Sequence, residues 1–560
     1  LTKVYISPQS VSSVPKYIFV TGGVVSSVGK GTVGASLGRI LHSRGFSVDF
    51  VKIDPYVNVD AGTLNPYMHG EVFVTDDGGE TDLDLGWYER FLDIKTTKEN
   101  NITTGQVYSN VISRERRGDY LGQCVQIVPH VTDEIKRLIR AVGERGSDVV
   151  VVEVGGTAGD IEGLPFLEAV RQMRLEEGFD NTLFLHVALV PHLKATDEFK
   201  TKALQHSVNE LRRIGIQPDI IVARSDSMID KPARKKVALF GTLPEEAVFC
   251  SYDVDCVYEV PLMLEEQGMG GYVVERLRLQ PTPARWDDWS RVVQLYRNAT
   301  ETVKIAVCGK YTKLTDSYVS VKEALQHSGV NIGGRVSIRW IDTEEIERNP
   351  ESVGQLSEFD GVLVPGGFGK RGVEGKIECI KYARENDKPF LGICFGLQLS
   401  VVEFARHVCG LHDAASTEID PDTPHPVIDM LPEQRTVGEK GGTMRLGSLP
   451  ADLKPNTLAA RLYGTDRVYG RHRHRYEVNP AYWSVLRENG LVFSGLSPDG
   501  RRVETLENPS RFFFFATQFH PEYLSRPNRP EPAYLGFVKA ALDKKKGLKT
   551  FEPPVLVIQQ

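Results

Sequence analysis

The stretch from Tyr17 to Thr32, Y-I-F-V-T-G-G-V-V-S-S-V-G-K-G-T, constrains the chain more than any other. A short apolar run, Tyr17 to Val20, breaks into a glycine- and serine-rich turn carrying Lys30, and an amphipathic segment with Leu37, Ile40 and Leu41 follows. That order predicts strand, phosphate loop and helix. Glycines let backbone N–H groups converge on a polyphosphate, the helix offers its positive end, and the lysine adds a point charge. The spacing departs from the regular Walker A pattern: Gly23 lies one residue too far upstream of Gly29, and Gly31 stands where Ser or Thr should follow the lysine. A strand-to-helix turn that needs glycines only for its geometry is the plain alternative, so the rest of the chain must decide.

At 560 residues the chain exceeds a single core. A formal net charge of -7 provides no global attraction to nucleic acid or to an anionic membrane, so any phosphate must be held locally. No apolar run approaches the roughly 20 residues of a membrane span. The first fifteen residues lack the apolar region of a signal peptide, although the chain begins at Leu1. Seven scattered cysteines show no C-x-x-C spacing, which fits a reducing cytoplasm.

Strands are expected at Ser47 to Ile53, Asp148 to Glu153, Thr182 to Val190 and Asp219 to Ala223, with a helix at Lys231 to Phe240. This alternation predicts a doubly wound parallel sheet. Four consecutive valines before Glu153 read as a strand buried on both faces, and an acid at its carboxyl end is a candidate Mg2+ ligand. Between residues 54 and 93 lies a long irregular stretch carrying Glu71, Asp76, Asp77, Glu80, Asp82 and Asp84. It reads either as a solvated acidic loop or as the source of a metal-binding carboxylate beside the phosphates. Lys194, Lys200 and Lys202, with Lys235 and Lys236 further on, make either a basic helix face or a grip on a second triphosphate.

Residues 279–302 read as a linker, after which a second α/β pattern opens with strands at Val303 to Cys308, Val336 to Ile341, Gly361 to Val364, Pro389 to Ile393 and Phe512 to Phe519. In P-F-L-G-I-C-F-G-L-Q a buried strand delivers Cys394 into a sharp turn before a helix, as in a nucleophile elbow. F-H-P-E supplies His520 as its base and Glu522, two residues on, to orient that base from the same side of extended chain. Residues 362–369, V-L-V-P-G-G-F-G, could present N–H groups to an oxyanion together with the N–H of Phe395. Cys379 reads as structural. R-H-R-H-R-Y-E, 471–477, reads as local anion binding rather than a nucleic-acid patch.

These motifs, together with K-I-D-P-Y-V-N-V-D-A-G-T, H-G-E-V-F-V, N-N-I-T-T-G, E-R-R-G-D-Y-L-G, G-D-I-E and G-G-T-M-R-L-G, resemble the CTP synthase family: a synthetase domain followed by a class I glutamine amidotransferase domain. The resemblance implies two α/β domains, with an extension at 1–15, the synthetase at 16–278, the linker, the amidotransferase at 303–545 and a tail at 546–560. It implies that ATP phosphorylates O4 of UTP and that ammonia from L-glutamine displaces the phosphate to give CTP. Ser27, Val28, Gly29, Lys30, Gly31 and Thr32 would line ATP, with Asp84 and Val254 beside them. Asp84 and Glu153 would bind Mg2+, and Lys30 would be catalytic, with Lys52 a further candidate near the transferring phosphoryl group. Ser26, Asp160, Ile161, Glu162, Lys200, Thr201, Lys202, Ala203, Leu204, Gln205 and Lys236 would meet UTP or the inhibitor CTP. Gly367, Phe395, Gly396, Leu397, Gln398, Glu418 and Arg475 would bind glutamine, and Cys394, His520 and Glu522 would hydrolyse it. GTP is the expected activator and a homotetramer, extending to filaments, the expected assembly, in the cytoplasm, without nucleic acid or membrane.

Three departures stand out. Ala203 and Leu204 replace the family's Pro-Thr in K-T-K-P-T-Q, Phe395 and Leu397 replace Leu and Met in C-L-G-M-Q, and Ala415 replaces the asparagine of N-S-T-E. Another ATP-driven amidotransferase or ligase, or a non-catalytic ATPase scaffold, are the competing readings. The pyrimidine-site motifs speak against the first, and the intact Cys394, His520 and Glu522 against the second.

Overall fold

The computed structural model describes residues 14–310, 315–434 and 441–554. Most of the expected extension at 1–15, and the end of the tail at 546–560, fall outside them. The chain forms two compact units: residues up to Val59 with Trp87–Ser290, and Asp60–Gly86 with everything from Arg291 onward.

In the first unit, seven strands form one parallel sheet: β1 Lys16–Gly23, β2 Val48–Asp54, β3 Asn101–Thr103, β4 Val149–Val154, β5 Thr182–Leu189, β6 Ile220–Ser225 and β7 Val248–Tyr252. Their order is β7-β6-β5-β1-β4-β2-β3, and every pairing is parallel. The valine run fills the centre of β4, which is buried throughout between β1 and β2. A strand covered on both faces has no solvent side, so its residues need no alternation. Register places Glu153 opposite Val20 on one side and Lys52 on the other, at the carboxyl edge where the β1 turn begins.

The main sheet of the second unit has nine strands: β8 Glu301–Gly309, β9 Gly334–Asp342, β10 Gly361–Val364, β11 Phe390–Ile393, β12 Arg445–Leu453, β13 Arg467–His474, β14 Val492–Leu496, β15 Val503–Glu507 and β16 Phe514–Thr517. Their order is β9-β8-β10-β11-β16-β15-β14-β12-β13. The five from β9 to β16 are parallel and the remainder antiparallel. Alternation divides the core: Val303, Ile305 and Val307 pack on one face, whereas Ala306 and Cys308 pack on the other. Both flanks are thereby covered, as a parallel sheet requires.

Residues 279–302, expected as a linker, contain a helix, Asp287–Asn298, whose Trp289 is buried and donates its indole N–H to the Tyr258 carbonyl at 2.8 Å. Its apolar side chains are spaced for one buried stripe, a pattern diluted by the charged residues around them.

Phe390 on β11 and Phe514 on β16 stack with centroids 4.5 Å apart, and both are buried. Phe514→Ala should lower unfolding stability by roughly 3–5 kcal/mol, read from the shift in a denaturant unfolding curve.

Candidate functional site

In the second unit, β11 ends in Ile393, paired with Thr517 of β16, and the Cys394 N–H continues the ladder onto the Thr517 carbonyl at 2.7 Å. Cys394 then adopts φ 52°, ψ -99°, and helix Phe395–His407 begins. A non-glycine residue at positive φ is strained and persists where its surroundings overdetermine it, as at a nucleophile elbow. The neighbouring strand leads straight to the base: His520 Nδ1 is 2.8 Å from Glu522 Oε1, and its ring stacks on Tyr523. Glu522 lies in a 3-10 turn, Pro521–Leu524, so the turn rather than the extended chain expected brings it back to the imidazole. Burial opposes charge on His520, but the Glu522 carboxylate and then the Cys394 sulfur outweigh it and raise its pKa to about 10. Gly366 lies where any Cβ would come within 2.7 Å of the His520 ring, so only glycine fits.

A cavity of about 500 Å³ opens onto this group. Cys394, His520, Glu522, the Pro365–Phe368 turn, Arg473 and Arg475 line it, together with Gly62–Pro66, Glu71 and Val72 from the same unit. Of the expected glutamine residues, Gly367 and Arg475 are on its wall; Phe395, Gly396, Leu397, Gln398 and Glu418 are not. Leu397 is core. Gln398 donates to the Tyr476 carbonyl, and the half-buried Glu418, its carboxyl pushed up by loss of water, accepts the Gly369 N–H at 2.7 Å.

The acidic stretch corrects the expectation of a solvated loop. Glu71, Glu80 and Asp82 are buried, and Glu71 accepts the N–H and hydroxyl of Ser320. Asp76 pairs with Arg471 and Glu80 with Arg473, each at 2.7 Å or less, while Asp82 lies 3.3 Å from His69. Two of the three arginines of R-H-R-H-R are therefore matched by carboxylates nearly four hundred positions away. Arg471 is fully buried, and Arg475 bonds Gln434 and Thr443. His472 and His474 are held neutral, well below their ordinary range, by burial and then by Arg445. The expected anion patch is thus largely a structural charge network, a consequence of burying guanidinium groups, which must be paired. Asp84 opens the helix Asp84–Leu92 with its N–H on Asp82. Cys379 is buried as expected, its thiol raised by a hydrogen bond with Cys308 and by burial.

The first unit gathers the nucleotide candidates at the carboxyl edge of its sheet. Val24, Ser27 and Gly29 all have positive φ, 77°, 55° and 95°, so the turn after β1 is tightly coiled before helix Lys30–Ser43. A β-branched residue in that region costs roughly 1–3 kcal/mol and marks a shaped loop. Ser26 and Ser27 are exposed, Val28 and Thr32 are more enclosed, and Lys30 reaches across to donate to the Gly156 carbonyl at 2.7 Å. Val254 follows Asp253, the partner of Arg224, whose side chain lies 3.8 Å from a Cβ built on Gly29. Glu153 is bonded by Lys52 at 3.1 Å and by the Tyr88 hydroxyl, with Asp54 3.9 Å from the same ammonium. Among the described residues no group of three or more His, Cys, Asp or Glu side chains forms a ready metal cage.

Asp160 accepts the Thr157 N–H, and Ile161 and Glu162 are exposed on the turn after it. Lys200 pairs with Glu198, whose carboxyl that bond and, least, Lys236 hold below the usual carboxylate range. Thr201 and Gln205 bond one another at the start of helix Lys202–Arg213, Lys202 is exposed, and Ala203 is half-buried. Leu204 is fully buried among Val190, Val208 and Ile221.

Sequence reading missed His186. Buried in β5, it bonds Thr21 at 2.9 Å and Ser207 at 2.8 Å, and burial with the nearby Lys30 lowers its pKa to about 3. A Cβ on Gly23 would lie 1.5 Å from the Ser207 hydroxyl, so this neutral histidine backs the phosphate loop at close quarters. A lone polar residue inside L-F-L-H-V-A-L was the available signal.

His520 is raised above its ordinary value, so its pairing stabilises the fold fully below about 6.5, the unfolded value, and the contribution fades as pH climbs towards 10. The gap in thermal midpoint between the native chain and Glu522→Gln should therefore be widest below pH 6.5 and shrink by pH 10, measured by scanning calorimetry.

Comparison with known proteins shows the family. The family described as CTP synthase N-terminus matches residues 16–279, and glutamine amidotransferase class-I matches 313–540. CTP synthase of Pyrococcus furiosus is 58% identical over 532 residues, covering 95% of this chain and 98% of that protein. That of Thermococcus gammatolerans is 59% identical over 533 residues, covering 95% and 99%. The solved glutaminase domain of Trypanosoma brucei CTPS with bound acivicin is 40% identical over 43% of this chain and 94% of that one, with a TM-score of 0.41. Matched in both halves and along 95% of its length, the chain belongs to the CTP synthase family of glutamine-hydrolysing ligases.

Proposed function

We propose that the chain converts UTP to CTP, with the Cys394–His520–Glu522 group at the cavity as the observation that carries the reading. Glutamine enters with its carboxamide carbon at Cys394 Sγ. The thiolate adds to that carbon, and the oxyanion forms against backbone N–H groups of the Gly367 turn and Phe395. His520, kept protonated by Glu522 and the sulfur, gives its proton to the leaving nitrogen. The carbon–nitrogen bond breaks and ammonia departs; water, losing a proton to His520, then cleaves the thioester to glutamate and restores the thiolate.

In the first unit ATP lies on the turn 27–32, and Lys30 neutralises charge on the phosphoryl group passing to O4 of UTP. The carbonyl oxygen on C4 leaves poorly, whereas phosphate leaves well, so ammonia adding at C4 displaces phosphate and CTP results. Ser26, Asp160, Ile161, Glu162, Lys200, Thr201, Lys202, Gln205 and Lys236 hold the pyrimidine nucleotide, and Glu418 and Arg475 hold the ends of glutamine. Ala203 and Leu204 act through the start of their helix, since Leu204 is core.

Mg2+ takes hard oxygen donors, and the donor set of the first unit fits it: the Glu153 carboxylate, with Asp54 beside it, now balanced by Lys52. Glu153 would hold the ion, which neutralises triphosphate charge when bound; Asp84 is the second expected carboxylate. On the same reading CTP is a feedback inhibitor at the UTP site, GTP an activator, and the working form a cytoplasmic homotetramer able to extend into filaments. Family membership supports these points; in addition, no described helix is long and apolar enough to cross a membrane.

Cys394→Ala should cut glutamine-dependent CTP formation by on the order of 10³-fold or more while sparing the reaction run on ammonia. Lys30→Ala should reduce both by on the order of 10³-fold. Formation of CTP is followed by the change in pyrimidine absorbance with coupled ADP release; equal loss of both reactions in Cys394→Ala would sink the two-site reading.

A further inference from the structure

One buried cation of the second unit has no part in the scheme above. Lys376 lies on helix Val373–Glu385 and is fully buried. Its Nζ has no hydrogen-bond partner among the described residues. That nitrogen sits 5.0 Å from the centroid of the Phe395 ring and 3.3 Å from a Cβ built on Gly367. The two residues it touches are the ones expected to supply the oxyanion donors.

Leaving an ammonium buried without an acceptor is costly, and a Met or Leu would fill the same space without that cost. Such a group is expected where its charge serves a reaction. We propose that Lys376 is a positioning residue of the glutaminase site: its ammonium, packed against Gly367 and under the Phe395 ring, supplies positive potential behind the backbone donors that stabilise the tetrahedral oxyanion. The inference rests on the Cys394 reading of the preceding subsection.

The groups facing Lys376 come from several elements. Burial and then Lys310 lower its pKa, to about 7, against Cys308, Glu418 and Cys379, which act in the opposite sense. Lys310 donates to the Phe368 carbonyl and Glu418 accepts from Gly369, so both are tied to the same turn. The sign follows directly. The protonated amine assists the oxyanion, and the assistance is lost as pH rises through about 7.

The test is the pH dependence of kcat for glutamine hydrolysis by the full-length protein, from pH 5.5 to 9, in the native chain, Lys376→Met and Lys376→Gln. In the native chain an ionisation near 7 should modulate kcat for glutamine and be absent when ammonia is the nitrogen source. Both variants should lack that ionisation and be roughly tenfold slower below pH 7, with KM for glutamine changed less than about twofold. Ammonia-dependent CTP formation in the same preparations reports that they are folded, and Lys376→Met should melt no lower than the native chain. Overlapping pH profiles, or a loss confined to KM, would overturn the proposal; so would a native profile with no glutamine-specific ionisation near 7, whatever the variants do. Glutamine hydrolysis persisting in Cys394→Ala would instead overturn the reading beneath it.

Discussion

The parallel pairing of β11 with β16 is the constraint on which the amidotransferase unit depends. Ile393 and Thr517 are register partners, and the ladder runs one bond further, from the Cys394 N–H to the Thr517 carbonyl. Adjacent strands lie under 5 Å apart, so two segments separated by well over a hundred residues arrive side by side. The nucleophile leaves one strand and Gln518 to His520 leave the next, with no loop left to find its own geometry. The stacked Phe390 and Phe514 hold that pairing from within the core.

Burial then sets the charge states around the pair. His520 carries its proton because Glu522 and the sulfur overcome the loss of water. His472 and His474, equally buried, face Arg445, and the Glu504 carboxylate 3.5 Å from His472 is itself paired with that arginine, so both imidazoles are neutral. Imidazoles within one unit thus differ because of their partners, not their depth. The same logic explains why Arg471 and Arg473 recruit Asp76 and Glu80 from a distant part of the chain. A guanidinium sunk in the protein must find a carboxylate, and the hairpin Phe73–Val74 and Glu80–Thr81 supplies two.

In the first unit the loop after β1 combines three left-handed residues with a lysine that spans to the turn after β4. The irregular spacing noticed in the sequence is resolved by close approach: Gly23 leaves room for Ser207 and His186, and Gly29 opens the helix. Glu153, Lys52 and Tyr88 form a compact buried set at the edge where phosphates are expected.

Local pattern was enough to read the central parallel strands of both sheets, though not β3, β7 or the antiparallel β12 to β15, because a run such as V-V-V-V-E and a turn such as G-I-C-F-G state their burial and their bend directly. The elbow cysteine, its histidine and its glutamate were legible for that reason. Charge pairing was not. Nothing near R-H-R-H-R marks its partners as Asp76 and Glu80, so the acidic stretch read as either a solvated loop or a source of a metal-binding carboxylate, and the arginines as an anion site. His186 and Lys376 were equally hidden, since a lone polar residue in an apolar strand, or one charge among several on a helix, acquires meaning only from what surrounds it. By itself the sequence determined which segments are strands, which turns are sharp and which residue types stand at them, all properties of neighbours along the chain. Only the tertiary structure decided which charges are matched, which histidines stay neutral and that a lysine lies buried behind Gly367, because those depend on distances between residues far apart in sequence and on the water that folding removes.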